Sequence, residues 1–234
     1  MSYFSGRPVF DEIWPRFLVT IRMSLLILVI SVCVGVPVGI YSAVKQYSLW
    51  DTVPTMMAFF LAAVPSFVIG MVLMYFFALK INIFPSFGLS GLKSYILPVS
   101  AVAISEAAAY LRFTKSSMLE AIRQDYVRTA RGKGVPERTV IWKHAMRNAL
   151  LPVITCVGMR FGVLLAGMVT TERLFSIPGI GSLIVDSISK KDEPVIIAAS
   201  ILIASAFTML MLLVDIAYAY VDPRIRAKYS RLER

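Results

Sequence analysis

Five long apolar runs, near residues 22–44, 54–79, 95–111, 150–170 and 195–221, divide the chain. Each comes close to or exceeds the roughly 20 residues that carry an α-helix across about 30 Å of hydrocarbon. Runs of this length predict an all-α, polytopic bundle of about five transmembrane spans. The first run holds Gly35, Pro37 and Gly39 in its second half, which predicts a kink near Pro37. The second holds Pro65 at its middle and ends in a Phe/Met/Tyr-rich stretch, Met71–Phe77. Such breakers are tolerated in membranes where neighbours satisfy the freed backbone groups. They fit a bundle that bends and ordinary proline tolerance equally well.

Between the third and fourth runs the pattern changes. Met118, Ile122, Tyr126 and Ala130 recur every four residues, with Arg123, Arg128 and Arg131 on other faces, so Ser116–Arg131 reads as an amphipathic helix. Gly134 supplies the left-handed position that commonly ends a helix. Pro136 suits the first turn of the next, expected through Arg138–Asn148. Residues 112–149 thus read as helix, sharp turn, helix. A connection of 38 residues with its own structure far exceeds the usual 4–6 and is usually functional. The plainer alternative is a solvated basic loop that fixes topology and little else.

Composition agrees with lipid as part of the solvent. Of 234 residues 58% are hydrophobic, and the mean hydropathy is +0.74. A formal charge of +10 would suit a nucleic-acid binder, but its placement argues otherwise. Residues 45–53, 112–149 and 222–234 carry 15 Lys/Arg against 6 Asp/Glu, whereas 1–21, 80–94 and 171–193 carry 7 against 6. Basic residues concentrate in cytoplasmic loops. The N-terminus is therefore expected outside and the loop 112–149 inside, and five crossings place the C-terminus inside as well. The expected organisation is an extracytoplasmic lead-in at 1–21, a membrane domain at 22–221 and a cytoplasmic tail at 222–234. Arg7, Asp11, Glu12 and Arg16 interrupt any signal-peptide pattern, so the first span or a partner is expected to direct insertion. Cys33 and Cys156 fall inside apolar runs and read as packing residues rather than a disulfide.

Catalytic chemistry is sparse. Gly132-Lys133-Gly134 lacks the upstream glycine and the following Ser/Thr of a phosphate-binding loop, so nucleotide hydrolysis is not expected of this chain. With one histidine, His144, and no metal-ligand spacing or nucleophile elbow, neither a metal site nor an enzyme is expected. Glu106, Arg160 and Asp215 lie within apolar runs, where a charge is costly enough to mark a site. Glu106 and Arg160 occupy consecutive spans at mid-depth and are expected to pair or to face one polar translocation path. Burial against another subunit is the alternative. An outer turn is expected at Pro178-Gly179, with proline setting φ and glycine tolerating positive φ. Phe175, Ile177, Ile180, Leu183 and Ile184 around it suggest a segment folded back onto the bundle.

Longer motifs carry a resemblance. Asp125-Tyr126-Val127-Arg128-Thr129-Ala130-Arg131-Gly132-Lys133-Gly134 and His144-Ala145-Met146-Arg147-Asn148-Ala149-Leu150-Leu151-Pro152 resemble the EAA loop of the dipeptide/oligopeptide/nickel permeases of ABC importers. Phe175 with Pro178-Gly179-Ile180-Gly181, Val214-Asp215 and Asp222-Pro223-Arg224 resemble further segments of that family. The resemblance implies a type I importer permease core in a bacterial or archaeal cytoplasmic membrane. Its coupling helix would involve Tyr126, Arg128, Thr129, Ala130, Gly134, Val135, Pro136, Glu137, Arg138 and His144. Arg128-Thr129-Ala130 would stand where other importers have Glu-Ala-Ala, and Phe175, Pro178, Gly179 and Gly181 would form the extracytoplasmic turn. Implied partners are two cytoplasmic ABC ATPase subunits that bind ATP and magnesium, a second homologous permease and an extracytoplasmic solute-binding protein. No cofactor is implied for this chain. An uncharged residue would be expected where Arg160 stands. Such permeases usually begin with one more span and an extracytoplasmic segment, so a short form or fragment is expected.

The sequence therefore predicts a permease subunit that moves peptides or a related small solute, including nickel or a metal chelate, with ATP hydrolysed elsewhere. The alternative is a self-sufficient channel or secondary carrier, which would need its own filter or coupling-ion site.

Overall fold

Every regular element among the described residues, 1–221 of the computed structural model, is helical. Asp215 falls where side chains are not described, and the terminal Asp222-Pro223-Arg224 segment and the tail 222–234 lie outside the described residues. Helix α1 is Val9–Val44, α2 Leu49–Ala63 and α3 Ser66–Leu73, the last widening into π-turns over Met74–Lys80. After a loop and a 3-10 turn at Leu92–Tyr95 come α4, Ile96–Ile122, and α5, Asp125–Gly132. The short α6, Glu137–Thr139, runs through π-turns at Val140–Ala145 into α7, Met146–Gly167. Helices α8, Val169–Leu174, α9, Ile180–Lys190, and α10, Glu193–Val221, complete the described residues.

Four stretches are long and apolar enough to cross a membrane: Val9–Val44, Leu92–Ile122, Glu137–Leu165 and Glu193–Val214. A fifth is formed if the pair Leu49–Ala63 and Ser66–Lys80, bent by 99°, is one span. The expected five runs are present, with different ends. Most of the lead-in 1–21 is the first turns of α1, because Pro8 and the acidic Asp11 and Glu12 suit a helix start. Pro65 breaks the second run outright. It precedes α3 with ψ of 139°, the extended geometry that starts a new helix rather than bending an old one.

Pro37 does not break α1. Gly35 and Gly39, one turn apart, serve close approach instead. A Cβ on Gly39 would lie 2.6 Å from the Leu111 carbonyl oxygen, and one on Gly35 would lie 2.9 Å from Tyr110 Cβ. Small residues at this spacing let membrane helices pack backbone to backbone.

The chain divides into two compact units. The first comprises Met1–Ile30, Ala63–Glu106 and Arg160–Met209. Its core joins Ile13 and Phe17 of α1 to Ile180 and Leu183 of α9 and to Val195 and Ala199 of α10. The second comprises Ser31–Ala62, Ala107–Met159 and, within the described residues, those from Leu210 on. Its core gathers Ile40 and Ala43 of α1, Met118 and Ala121 of α4, Val127 and Ala130 of α5, and Val140, Ile141, Ala145 and Ala149.

The basic segment 112–149 is less of a separate insertion than its charge suggests. Helix α4 continues to Ile122, and the helix expected over 138–148 begins at Glu137 and runs on into α7. Only residues 123–136 stand apart from the two long helices. The expected continuous helix 116–131 is broken at Arg123-Gln124, where Gln124 has ψ of 152°. This break resets the helical phase, so Val127 is buried in place of Tyr126, which is 40% exposed.

Outward surfaces are strongly apolar. Met56, Met57, Phe59 and Phe60 on α2 and Ile197, Ile201, Leu212 and Leu213 on α10 are all exposed. Surfaces of that kind require a nonaqueous neighbour. Cys33 is also exposed, so it does not pack within this chain as expected, whereas Cys156 is buried.

Candidate functional site

The segment from α5 to α6 is a small, rigid unit. Helix α5 closes with a full Schellman arrangement: the Val135 N–H donates to the Ala130 carbonyl at 3.2 Å and the Gly134 N–H to the Arg131 carbonyl at 2.9 Å. Gly134 takes φ of +75°, the left-handed conformation expected for it. Val135 then packs against the core beneath α5, and Pro136 leads into α6. Across the turn Arg131 grips Glu137 with two hydrogen bonds, Nη2 to Oε1 at 2.7 Å and Nε to Oε2 at 3.0 Å. The contact with Glu137 raises the affinity of the Arg131 guanidinium for its proton, so this charge is fixed.

Beneath this turn lie Val127 and Val140, both fully buried. Burying each is worth about 1.5–3 kcal/mol relative to exposure. The Ser117 hydroxyl donates to the Ala149 carbonyl at 2.7 Å, tying α4 to α7 just below. Tyr126, Arg128, Thr129, Gly134, Pro136, Glu137 and Arg138 are exposed, Val135 and His144 half-buried, and Ala130 buried. Thr129 bonds only to the Asp125 carbonyl of its own helix. The result is an exposed polar ridge held on an apolar base.

A second polar cluster in this unit escaped the sequence reading. Asp51 of α2 is paired with Lys115 of α4, and accepts a hydrogen bond from Ser42 at 2.6 Å and one from the Tyr47 N–H at 3.0 Å. Lys115 also donates to Thr55 at 3.0 Å. Asp51 and Ser42 are buried and Lys115 and Thr55 half-buried, and together they lock the α1–α2 corner to the stem of α4. Its only sequence signal was an aspartate just before an apolar run.

In the first unit Arg160 of α7 meets Glu106 of α4. Arg160 Nε donates to Glu106 Oε2 at 2.9 Å, and its Nη2 lies 3.4 Å from Oε1. The two side chains remain 40% and 20% exposed.

The turn at Phe175–Gly181 is organised by a residue the sequence did not single out, Glu172 of α8. Its carboxylate is fully buried and accepts from the Thr20 hydroxyl at 2.6 Å and from the Ser182 N–H at 2.8 Å. Burial pushes the Glu172 carboxyl above its ordinary range, and the hydrogen bonds from Thr20, Ser182 and Gly181 oppose that rise. Thr20 in turn accepts from the Ile180 N–H at 3.0 Å. The turn differs from expectation: Ser176 takes the positive φ of 52°, while Gly179 is extended with φ of −92°. Gly179 is required for space, since a Cβ there would strike the Glu172 carboxylate. Gly181 is similarly confined, 3.0 Å from that carboxylate for a Cβ. Phe175, Ile177, Ile180 and Leu183 are buried, so the segment is folded onto its unit.

The chain as a whole has known counterparts. The family model described as "Binding-protein-dependent transport system inner membrane component" matches residues 35–227. The glutathione transport system permease protein GsiC of Salmonella choleraesuis is 39% identical over 227 residues, 97% of this chain and 74% of that protein. GsiC of Escherichia coli K12 is 39% identical over 228 residues, with the same coverage. Among solved structures, one from the inward-facing MetNI methionine ABC transporter has a TM-score of 0.77 at 14% identity, covering 93% of this chain and 99% of that one. A structure of an amino acid ABC transporter with histidines gives 0.66 at 15% identity, covering 93% and 94%. These two show a shared fold.

The chain belongs to the binding-protein-dependent transport system inner membrane component family. It is a permease component of an importer and a multi-pass inner-membrane protein, as the EAA-like motifs implied.

Proposed function

We propose that the ridge from Tyr126 to Arg138 docks on a cytoplasmic ABC ATPase subunit and carries its motion into the spans. The observation that carries this reading is the bracing of the turn. A Schellman cap, a two-bonded Arg131–Glu137 pair and the buried Val127 and Val140 hold Gly134, Val135 and Pro136 as a stiff projection. A lever must be stiffer than the contact that pushes it. Arg128, Thr129, Glu137, Arg138 and His144 offer the charge and hydrogen-bonding groups that select a partner, and Tyr126 offers an aromatic anchor.

In this reading two ATPase subunits bind ATP and magnesium, and a second homologous permease completes the membrane pair. A solute-binding protein delivers cargo to the outer face near Phe175, Pro178, Gly179 and Gly181. The N-terminus faces outward and the ridge faces the cytoplasm, in keeping with the excess of basic residues in 112–149. The cargo is a peptide or related small solute. The GsiC relatives, named as glutathione permeases, favour a small peptide over nickel or a metal chelate.

Single cysteines at Val135, Glu137 and Arg138, in a chain whose Cys33 and Cys156 are replaced by serine, test the docking. They are expected to cross-link to a co-expressed ATPase subunit, with yields that change on adding nucleotide. Absence of a cross-link from all three positions in a transporting complex would sink the claim and favour a carrier that works without an ATPase.

A further inference from the structure

We propose that Glu106 and Arg160 line the translocation path and read the opposite charges of a zwitterionic solute, Arg160 taking its carboxylate and Glu106 its ammonium. This rests on the importer reading and adds a charge-recognition site to it.

The argument starts from cost. Glu106 is the eleventh residue of α4 and Arg160 the fifteenth of α7, each well inside an apolar helix. A charge at such depth is expensive and normally faces a partner or a water-filled cavity. Pairing does not enclose the two charges: the Arg160 side chain is still 40% exposed and Glu106 20% exposed. An ion pair facing hydrocarbon on its open side would keep much of its desolvation cost. The open side therefore faces water or another polar surface.

The surrounding face of α7 is uncovered within the chain. Met159 and Val163, one position before and three after Arg160, are 50% and 69% exposed, so this strip is not packed within the chain. Gly162, in contrast, sits against the Phe207 ring of α10. Arg160 thus stands on the uncovered side of its helix, on a strip that a moving solute could reach.

The geometry of the pair suits exchange. One contact is short at 2.9 Å and the second long at 3.4 Å, so the guanidinium grips the carboxylate unevenly. A guanidinium recognises carboxylates in a two-bonded fork, whereas a carboxylate accepts from an ammonium as from an arginine. A peptide with free termini supplies both charges at once. It replaces each partner's contact with an equivalent one, so neither charge is stranded while the solute passes. A solute with neutral ends offers no such replacement.

The test uses the assembled transporter in proteoliposomes, with Cys33 and Cys156 replaced by serine and Val163→Cys introduced beside the pair. Labelling of the introduced thiol is followed with a cationic trimethylammonium and an anionic sulfonate thiosulfonate reagent of similar size. The expected result is labelling from the aqueous phase, with the anionic-to-cationic rate ratio falling in Arg160→Gln and rising in Glu106→Gln. Each shift is expected to be roughly threefold to tenfold, as for a unit charge a few ångströms away in a partly aqueous site. Excess trialanine is expected to protect the thiol, and N-acetyl-trialanine amide to protect it far less.

A thiol silent to both reagents in every nucleotide state would overturn the proposal, because the strip then faces lipid or a partner subunit. Equal protection by the free and capped peptides would overturn it as well. Peptide uptake by the same vesicles is scored separately. Vesicles that import nothing yet show the charge-dependent labelling would count against the importer reading and leave the charge site standing.

Discussion

Thr20 donates its hydroxyl proton to the Glu172 carboxylate at 2.6 Å, joining residues 152 positions apart. The same oxygen accepts the Ile180 N–H, so one threonine on α1 holds both the buried acid and the first residue of α9. Replacing Thr20 with valine keeps the volume and leaves both groups without this partner. A loss of about 1–3 kcal/mol in stability is expected, since a buried group stripped of its hydrogen bond carries its full desolvation cost. Thermal unfolding of the detergent-purified complex measures it. An unchanged midpoint would show that the Phe175–Gly181 turn is held by its apolar residues alone.

Glu172 and Asp192 predict opposite pH responses of the first unit. Burial raises the Glu172 carboxyl, so its folded form favours the proton. Its contribution to stability is complete below the ordinary glutamate range and is lost as pH rises through the elevated folded value. Hydrogen bonds from the Ser2 hydroxyl and from the Tyr3 and Phe4 N–H groups lower the Asp192 carboxyl. Its contribution is complete above the ordinary aspartate range and is lost as pH falls through the lowered folded value. The stability profile of Glu172→Gln is expected to flatten between the ordinary glutamate range and the elevated folded value, and that of Asp192→Asn between the lowered folded value and the ordinary aspartate range. Parallel profiles for the two variants would contradict the assignment.

The Lys115–Asp51 pair predicts strong non-additivity. Lys115→Met leaves a buried carboxylate with only Ser42, the Tyr47 N–H and Thr55 around it, at a cost of about 3 kcal/mol or more. Lys115→Met with Asp51→Asn removes both charges and is expected to recover most of that loss. Adding Asp51→Asn alone closes a double-mutant cycle that reads the coupling directly, and simple additivity would mean the pair is solvated.

Gly134 separates stiffness from contact. A Cβ there meets nothing within 4 Å, so Gly134→Ala acts only through its φ of +75°, costing about 1–2 kcal/mol. Transport-coupled ATP hydrolysis is expected to fall in proportion as the turn loosens, while cross-linking from Glu137 persists. Arg131→Gln removes an exposed pair worth at most about 1 kcal/mol and is expected to alter coupling more than stability. Full coupling in both variants would argue against a lever that depends on rigidity.

What the sequence determined by itself is what depends on local pattern. Apolar runs long enough to span, a basic segment between the third and fourth of them, and a glycine forced into the left-handed region are all readable within a few turns of chain. Glu106 and Arg160 stood out for the same reason, as charges inside apolar runs. Tertiary structure decided the rest, because its determinants are partners far apart in sequence. Nothing near Glu172 announces Thr20, and the neighbouring Arg173 pairs with Asp186 at 2.7 Å rather than with the glutamate. Lys115 was counted with the basic loop until the fold set it against Asp51. The role of Gly179 could not be read as turn chemistry either, since its constraint is the space taken by a carboxylate seven residues earlier. Local sterics and hydrophobic period fix where helices start and stop, but which polar groups satisfy one another inside a bundle is settled only when the helices meet.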